Sequence, residues 1–141
     1  MIENPEDVEK ITDLLHNLDS AINRHIDQIL LEQLGVGLSQ IRILRILQTT
    51  TAAQRDLADS LNQTEPAISR QIKLLAGKGL VQASVDDAEK RRNVISLTVP
   101  GIKVIAAANE LLSSENQKIL SQLTRKQQIV LTELLQKIKI S

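Results

Sequence analysis

Between Thr51 and Gly101 the chain is cut into elements that few folds accommodate: two short helices joined by a tight turn, then a β-hairpin whose tip carries Lys90, Arg91 and Arg92. Thr51 and Gln54 have capping-box spacing, in which a hydroxyl accepts from a free backbone N–H and a side chain three residues on reaches back. The first helix is therefore expected to begin at Thr51, with Leu57, Ala58 and Leu61 as its apolar contacts. Asn62 falls where the chain must turn sharply, and asparagine tolerates left-handed backbone angles. The second helix is expected from Thr64, with Pro66 in the first turn where a missing N–H costs little, to Gly77, a favoured terminator.

At about 100° per residue, Ile68, Ile72 and Leu75 lie on one side of this second helix and Pro66, Ser69, Arg70 and Lys73 on the other. An amphipathic helix of this size is usually just a packed helix. Here the outer side offers short hydroxyl and basic groups suited to phosphates and guanine edges, with no acid beyond Glu65. Leu80–Val85 and Asn93–Thr98 then read as paired strands. Asp86, Asp87 and Glu89 offset the three bases at the tip, so an ordinary solvated hairpin also fits that segment. Its place directly behind a helix-turn-helix favours a basic hairpin that sets an arginine in the minor groove.

These pieces resemble the MarR-type winged-helix regulators. The resemblance is carried by Gly37-Leu38-Ser39 leading into a helix, Asp56-Leu57-Ala58, Pro66-Ala67-Ile68-Ser69-Arg70 and Gly79-Leu80-Val81. It continues through Asp86 and Glu89-Lys90-Arg91 to Leu97-Thr98-Val99-Pro100-Gly101, in the family's order and spacing over residues 35–105. It implies a mainly α fold with a small β-hairpin wing, in one compact protomer. An N-terminal dimerisation helix would occupy residues 1–34, a winged helix-turn-helix DNA-binding region 35–99, and C-terminal dimerisation helices 100–141. In the family's wing an aspartate orients an arginine two residues on; by position these are Glu89 and Arg91, with Glu one methylene longer than Asp. Gln63, Thr64, Ser69, Arg70 and Lys73 become candidate major-groove or phosphate contacts, and Lys90 and Arg92 backbone partners of the wing arginine.

Charge is distributed accordingly. The whole chain is neutral, yet ten bases and six acids lie between Arg42 and Lys103, which leaves the middle at +4 and the flanks together at −4. Positive potential is thus concentrated in the segment that would face phosphates. There is no Phe, Tyr or Trp. Readers of single strands and RNA commonly stack bases on aromatic rings, at about 1–3 kcal/mol per base, so the composition favours duplex DNA.

The flanks argue for a homodimer. Val8, Ile11, Leu15, Leu18, Ile22, His25 and Ile29 recur at intervals of three and four, the pattern of a helix burying a narrow seam against its own bundle or another subunit. Thr124 and Gln127 form a second capping-box pattern, followed by Ile129, Val130, Leu134, Leu135 and Ile138. A further helix rich in Ala106, Ala107, Ala108, Leu111 and Leu112 lies between Thr98 and Leu123. A lone winged helix would cover so much apolar surface poorly. A two-fold dimer would present its recognition helices to successive major grooves about 34–36 Å apart and read a near-palindromic operator.

The remaining classes recede. The 141 residues, 42% hydrophobic, suit one domain with a modest core. Absent cysteine removes disulfides, thiol redox sensing and cysteine-containing zinc sites. The only methionine is Met1, which makes oxidation sensing unpromising. With two histidines, His16 expected in solvent and His25 on the seam, a transition-metal site is not expected. His25 reads either as a proton-sensitive or ligand-contacting group or, preferred, as a hydrogen-bonded seam histidine. No apolar run approaches the roughly 20 residues of a membrane span, and the acidic, polar N-terminus is unlike an export signal, so a cytoplasmic protein is expected. Without a phosphate loop, nucleophile elbow or paired metal motif, catalysis and an enzyme cofactor are not expected. The competing function is a winged-helix adaptor or antirepressor that binds protein rather than DNA. The family resemblance also implies a small aromatic or phenolic effector where the helical arm meets the winged domain, with Arg24, His25, Arg42 and Arg45 as candidate ligand residues.

Overall fold

The first helix, α1 (Pro5–Leu34), starts where the Asn4 side chain accepts from the Glu6 N–H and Pro5 occupies the first helical position, and stops at Gly35, whose φ of 68° lies in the left-handed region. The computed structural model describes residues 4–86 and 92–141, apart from the side chains of Asp86 and Arg92. After α1 come α2 (Leu38–Leu47), α3 (Gln54–Leu61), α4 (Glu65–Gly77), β1 (Val81–Asp86), β2 (Arg92–Leu97), α5 (Val99–Leu120) and α6 (Arg125–Lys137). The chain divides into two compact units, Met1–Ala108 and Asn109–Ser141, and α5 begins in the first and ends in the second. Among the described residues no helix is long and apolar enough to cross a membrane.

The core of the first unit is mainly aliphatic: Leu30, Ile41, Leu44, Leu57, Ile68, Leu75 and Ile105 are essentially inaccessible, and the polar Gln40 is buried beside them. Within a single chain, the residues of α1 that are covered are not those of the expected seam. Beyond Ile22, which is half-buried, the covered residues are Ile26 and Leu30, whereas His25 is exposed and Ile29 half-buried. A straight helix of 3.6 residues per turn drifts away from a 3.5-residue repeat, and the last turns of α1 pack on α2 of the same chain. Val8, Ile11, Leu15 and Leu18 are 43–57% exposed.

The helix expected from Thr51 starts three residues later. The Ala52 N–H donates to the Ile95 carbonyl at 3.2 Å and the Ile95 N–H to the Ala52 carbonyl at 2.7 Å, which holds this stretch extended beside β2. Helical angles become available only past that bridge. Asp56, rather than Gln54, reaches back, accepting from the Ala53 N–H at 3.3 Å. Gln54 crosses the turn instead and donates to the Glu65 carbonyl at 3.4 Å.

Asn62 adopts φ 53° and ψ 46°, as its position in the turn requires, and the Gln63 N–H closes onto the Ala58 carbonyl at 2.9 Å. Thr64 caps α4 by accepting from the Ala67 N–H at 3.3 Å. Gly77 is the last helical residue, but the left-handed terminator is Gly79, at φ 74°; its N–H donates to Ala76 and the Leu80 N–H to Leu75. That commitment of Leu80 delays the first strand by one residue. The antiparallel ladder runs from Val81↔Leu97 to Asp86↔Arg92. Thr98 lies outside it because its hydroxyl donates to the Gly79 carbonyl and accepts from the Gly101 N–H at 3.1 Å, starting α5.

In the second unit the Thr124–Gln127 capping box forms in both directions, at 2.9 and 3.2 Å. Ile129, Val130, Leu134 and Leu135 lie exposed along α6; Ile138 is its extended C-cap rather than a helical residue.

Candidate nucleic-acid interface

The two sides of α4 differ as its sequence period requires. Ile68, Ile72 and Leu75 face the core, while Pro66, Arg70 and Lys73 are exposed and Ser69 is half-buried. At the N-terminal end Thr64 is exposed and Gln63 half-buried. The Thr64 oxygen already accepts the capping bond, so its hydroxyl proton is the group left to donate to a phosphate or a base edge. The Gln54 bond to Glu65 ties the start of α3 to the start of α4, so the exposed basic side chains stand on a braced helix.

Residues that the sequence reading did not single out also shape this surface. Leu74 is 52% exposed one position from Lys73, and thymine methyl groups are apolar partners in a major groove. Gln71 is half-buried and its Oε1 is covered without a hydrogen-bond partner. Nothing in the local pattern marks Leu74, because a leucine on an amphipathic helix reads as core.

Glu89, Lys90 and Arg91 lie outside the described residues. Arg92 opens β2 opposite Asp86. The antiparallel ladder is paired up to that position.

The candidate effector residues are spread over two helices. Arg24 and His25 lie on α1 and Arg42 and Arg45 on α2, all four exposed. A surface pocket of about 550 Å³ lies elsewhere, within the second unit, lined by Leu120, Arg125, Gln128, Ile129, Leu131, Thr132, Glu133 and Leu135. Among the described residues no three His, Asp or Glu side chains are grouped to hold a metal ion.

Two polar residues with no sequence signal join α1, α2 and α4. The Asp27 carboxylate accepts from the Leu38 N–H at 2.8 Å, capping α2 from α1. Lys78, just past α4, donates to the Gly35 carbonyl and, at 3.4 Å, to Gln40 Oε1. Each links positions 11 to 43 residues apart, beyond the reach of any helix or strand period.

A sequence model of the MarR family matches residues 34–92, which hold α2 to β1, the turn between α3 and α4, and the start of β2. The chain is 27% identical over 109 residues to the HTH-type transcriptional regulator BilQ of Clostridium symbiosum, covering 77% of this chain and 76% of BilQ. It is 30% identical over 81 residues to the transcriptional regulator HosA of Escherichia coli, covering 57% of this chain and 60% of HosA, less than two thirds of that relative's length. Among solved structures it is similar to MepR, a transcription regulator of the Staphylococcus aureus multidrug efflux pump MepA, with a TM-score of 0.78, 29% identity, and 89% of this chain and 93% of MepR covered. MepR in complex with DNA aligns with a TM-score of 0.67, at 28% identity, over 89% of this chain and 94% of that one.

Proposed function

Because this chain belongs to the MarR family of transcriptional regulators, we propose that it acts in the cytoplasm as a homodimeric repressor that binds a near-palindromic duplex operator and responds to a small aromatic or phenolic effector. The observation that carries the DNA reading is α4: Arg70 and Lys73 stand exposed on a capped helix whose opposite side is buried. MepR, similar to this chain over nine tenths of its length, has been solved with DNA. The exposed stripe Val8, Ile11, Leu15 and Leu18 on α1, and the apolar residues of α6, supply surface for pairing two copies. Such a dimer offers two copies of α4 to successive major grooves about 34–36 Å apart.

Selection of bound duplexes from a random pool, with the oligomeric state measured in parallel, tests this reading. Enrichment of a palindrome by a dimer supports it. A monomer without preference for any duplex at low ionic strength sinks it.

Two substitutions separate the proposed roles. Arg70→Ala should cost about 1–3 kcal/mol of discrimination at one operator position, the worth of a good bidentate base contact. Arg91→Ala should weaken all duplexes alike and flatten the log–log salt slope by about one unit, because one phosphate-neutralising charge is lost. Competition binding with single-base operator variants, repeated across salt concentrations, distinguishes the two patterns. If both variants bind the selected operator as the wild type does, the contacts are misassigned.

An effector shifts the protein only through unequal affinity for DNA-compatible and incompatible states. The junction region holding Arg24, His25, Arg42 and Arg45 is its proposed site. A chain without Trp or Tyr absorbs almost nothing near 280 nm, so a co-purified aromatic compound shows directly in the absorbance spectrum.

A further inference from the structure

We propose that Lys78 is a positioning residue: it sets the angle of the recognition helix relative to the arm helix α1 by bracing the α1–α2 junction from the end of α4. This rests on the duplex-binding dimer proposed above.

The junction, Gly35-Val36-Gly37, is held from both sides. From α1, the Asp27 carboxylate accepts the first N–H of α2, at 2.8 Å from Leu38 N. The fit there is close, since a Cβ on Gly37 would lie 2.9 Å from Asp27 Oδ1. Val36 between the glycines is buried. From α4, the Lys78 ammonium donates to the Gly35 carbonyl and lies 3.4 Å from Gln40 Oε1 on α2. The Lys78 backbone N–H remains bonded to the Leu74 carbonyl at 3.1 Å, so this side chain springs from a point still in helical register. An ammonium at a helix C-terminus is further favoured by the helix dipole, and its hydrogen bonds are stronger than those of a neutral donor. One cation thus joins the arm, the domain's first helix and the recognition helix.

Leverage makes the joint matter. With α1 held in a dimer seam, each α4 swings about its own junction, so a tilt at the two junctions changes the separation of the two copies of α4, which must match successive major grooves. A loosened junction should therefore appear as loss of half-site spacing selectivity before loss of binding.

The test uses the full chain and duplexes carrying the wild type's selected half-sites at the selected spacing and at one base pair more or less. In Lys78→Met the preference for the selected spacing should fall roughly twofold to thirtyfold, the range seen when a residue in a coupling network is altered. The salt slope should stay unchanged. An unchanged spacing profile overturns the proposal, and if the slope also drops by about one unit Lys78 is a phosphate contact instead. Should Lys78→Met fail to fold, Gln40→Leu decides: it removes one acceptor while keeping the cation, and must flatten the profile in the same direction, though less. A wild type that binds every spacing equally overturns the positioning role alone. A wild type that binds no duplex removes the functional reading and this one with it.

Discussion

Gly101→Ala should destabilise the protein by roughly 3 kcal/mol, the upper part of the usual range for overpacking, although helix propensity alone predicts the opposite sign. Alanine is preferred to glycine inside a helix by about 1 kcal/mol, and Gly101 is the third residue of α5. The obstacle is the backbone of Leu80. A Cβ on residue 101 would fall inside the shell of the Leu80 carbonyl oxygen, 3.0 Å from its carbon and 3.3 Å from Leu97 Cδ2. The carbonyl cannot swing away freely, because it accepts from the Thr98 N–H at 3.1 Å. Gly101 cannot retreat either, because its own N–H is held by the Thr98 hydroxyl at 3.1 Å. The end of α4, both strands and the start of α5 meet at this point, so relief in one place breaks a bond in another. In thermal unfolding the midpoint should fall by roughly 10 °C for a chain of this size. Gly77→Ala is the control: a Cβ there meets nothing within 4 Å, and a gain of about 0.4–1 kcal/mol is expected. A midpoint for Gly101→Ala at or above that of the wild type refutes the packing argument.

Ile68→Ala should cost about 2–5 kcal/mol, the usual range for emptying a fully buried aliphatic site. Ile68 has 0% of its surface exposed and is held in the first turns of α4 by a 3.1 Å bond from its N–H to the Thr64 carbonyl. Its removal loosens the side of α4 opposite Arg70, and duplex affinity should fall even where most molecules remain folded. No cation is lost, so the salt slope should not change, in contrast with Arg91→Ala. Urea unfolding gives the stability change and salt-dependent binding the second signature. A full stability loss with undiminished affinity would show that recognition does not depend on how α4 is seated.

The elements most legible in the sequence are those whose determinants lie within one turn of each other. Thr64, Pro66 and the Ile68–Ile72–Leu75 period suffice to start α4 and orient it. Asn62 suffices for the turn before it, and Thr124 with Gln127 for the start of α6. Each involves a cap or a face repeated every three or four residues, and its free energy is settled locally. The outward positions of Arg70 and Lys73 follow from the same geometry.

Tertiary contacts decided between local alternatives of similar merit. Thr51 with Gln54 is a sound capping pair, yet pairing of Ala52 with Ile95, 43 positions away, moves the start of α3 to Gln54. Gly77 and Gly79 are equal as glycines, but only Gly79 lets Leu80 bond back to Leu75 and pass on toward Thr98. His25 and Ile29 continue the heptad, while the packing of α1 on α2 selects Ile26 and Leu30. The junction bonds of Asp27 and Lys78 have no periodic signature. The chain by itself therefore determined its helices, its turn and the basic outer side of α4. Where those helices begin and end, and how α1 is joined to α4, were decided by long-range hydrogen bonds and burial, because differences of about 1 kcal/mol in capping or propensity are outweighed once a backbone pair or a core side chain must be satisfied.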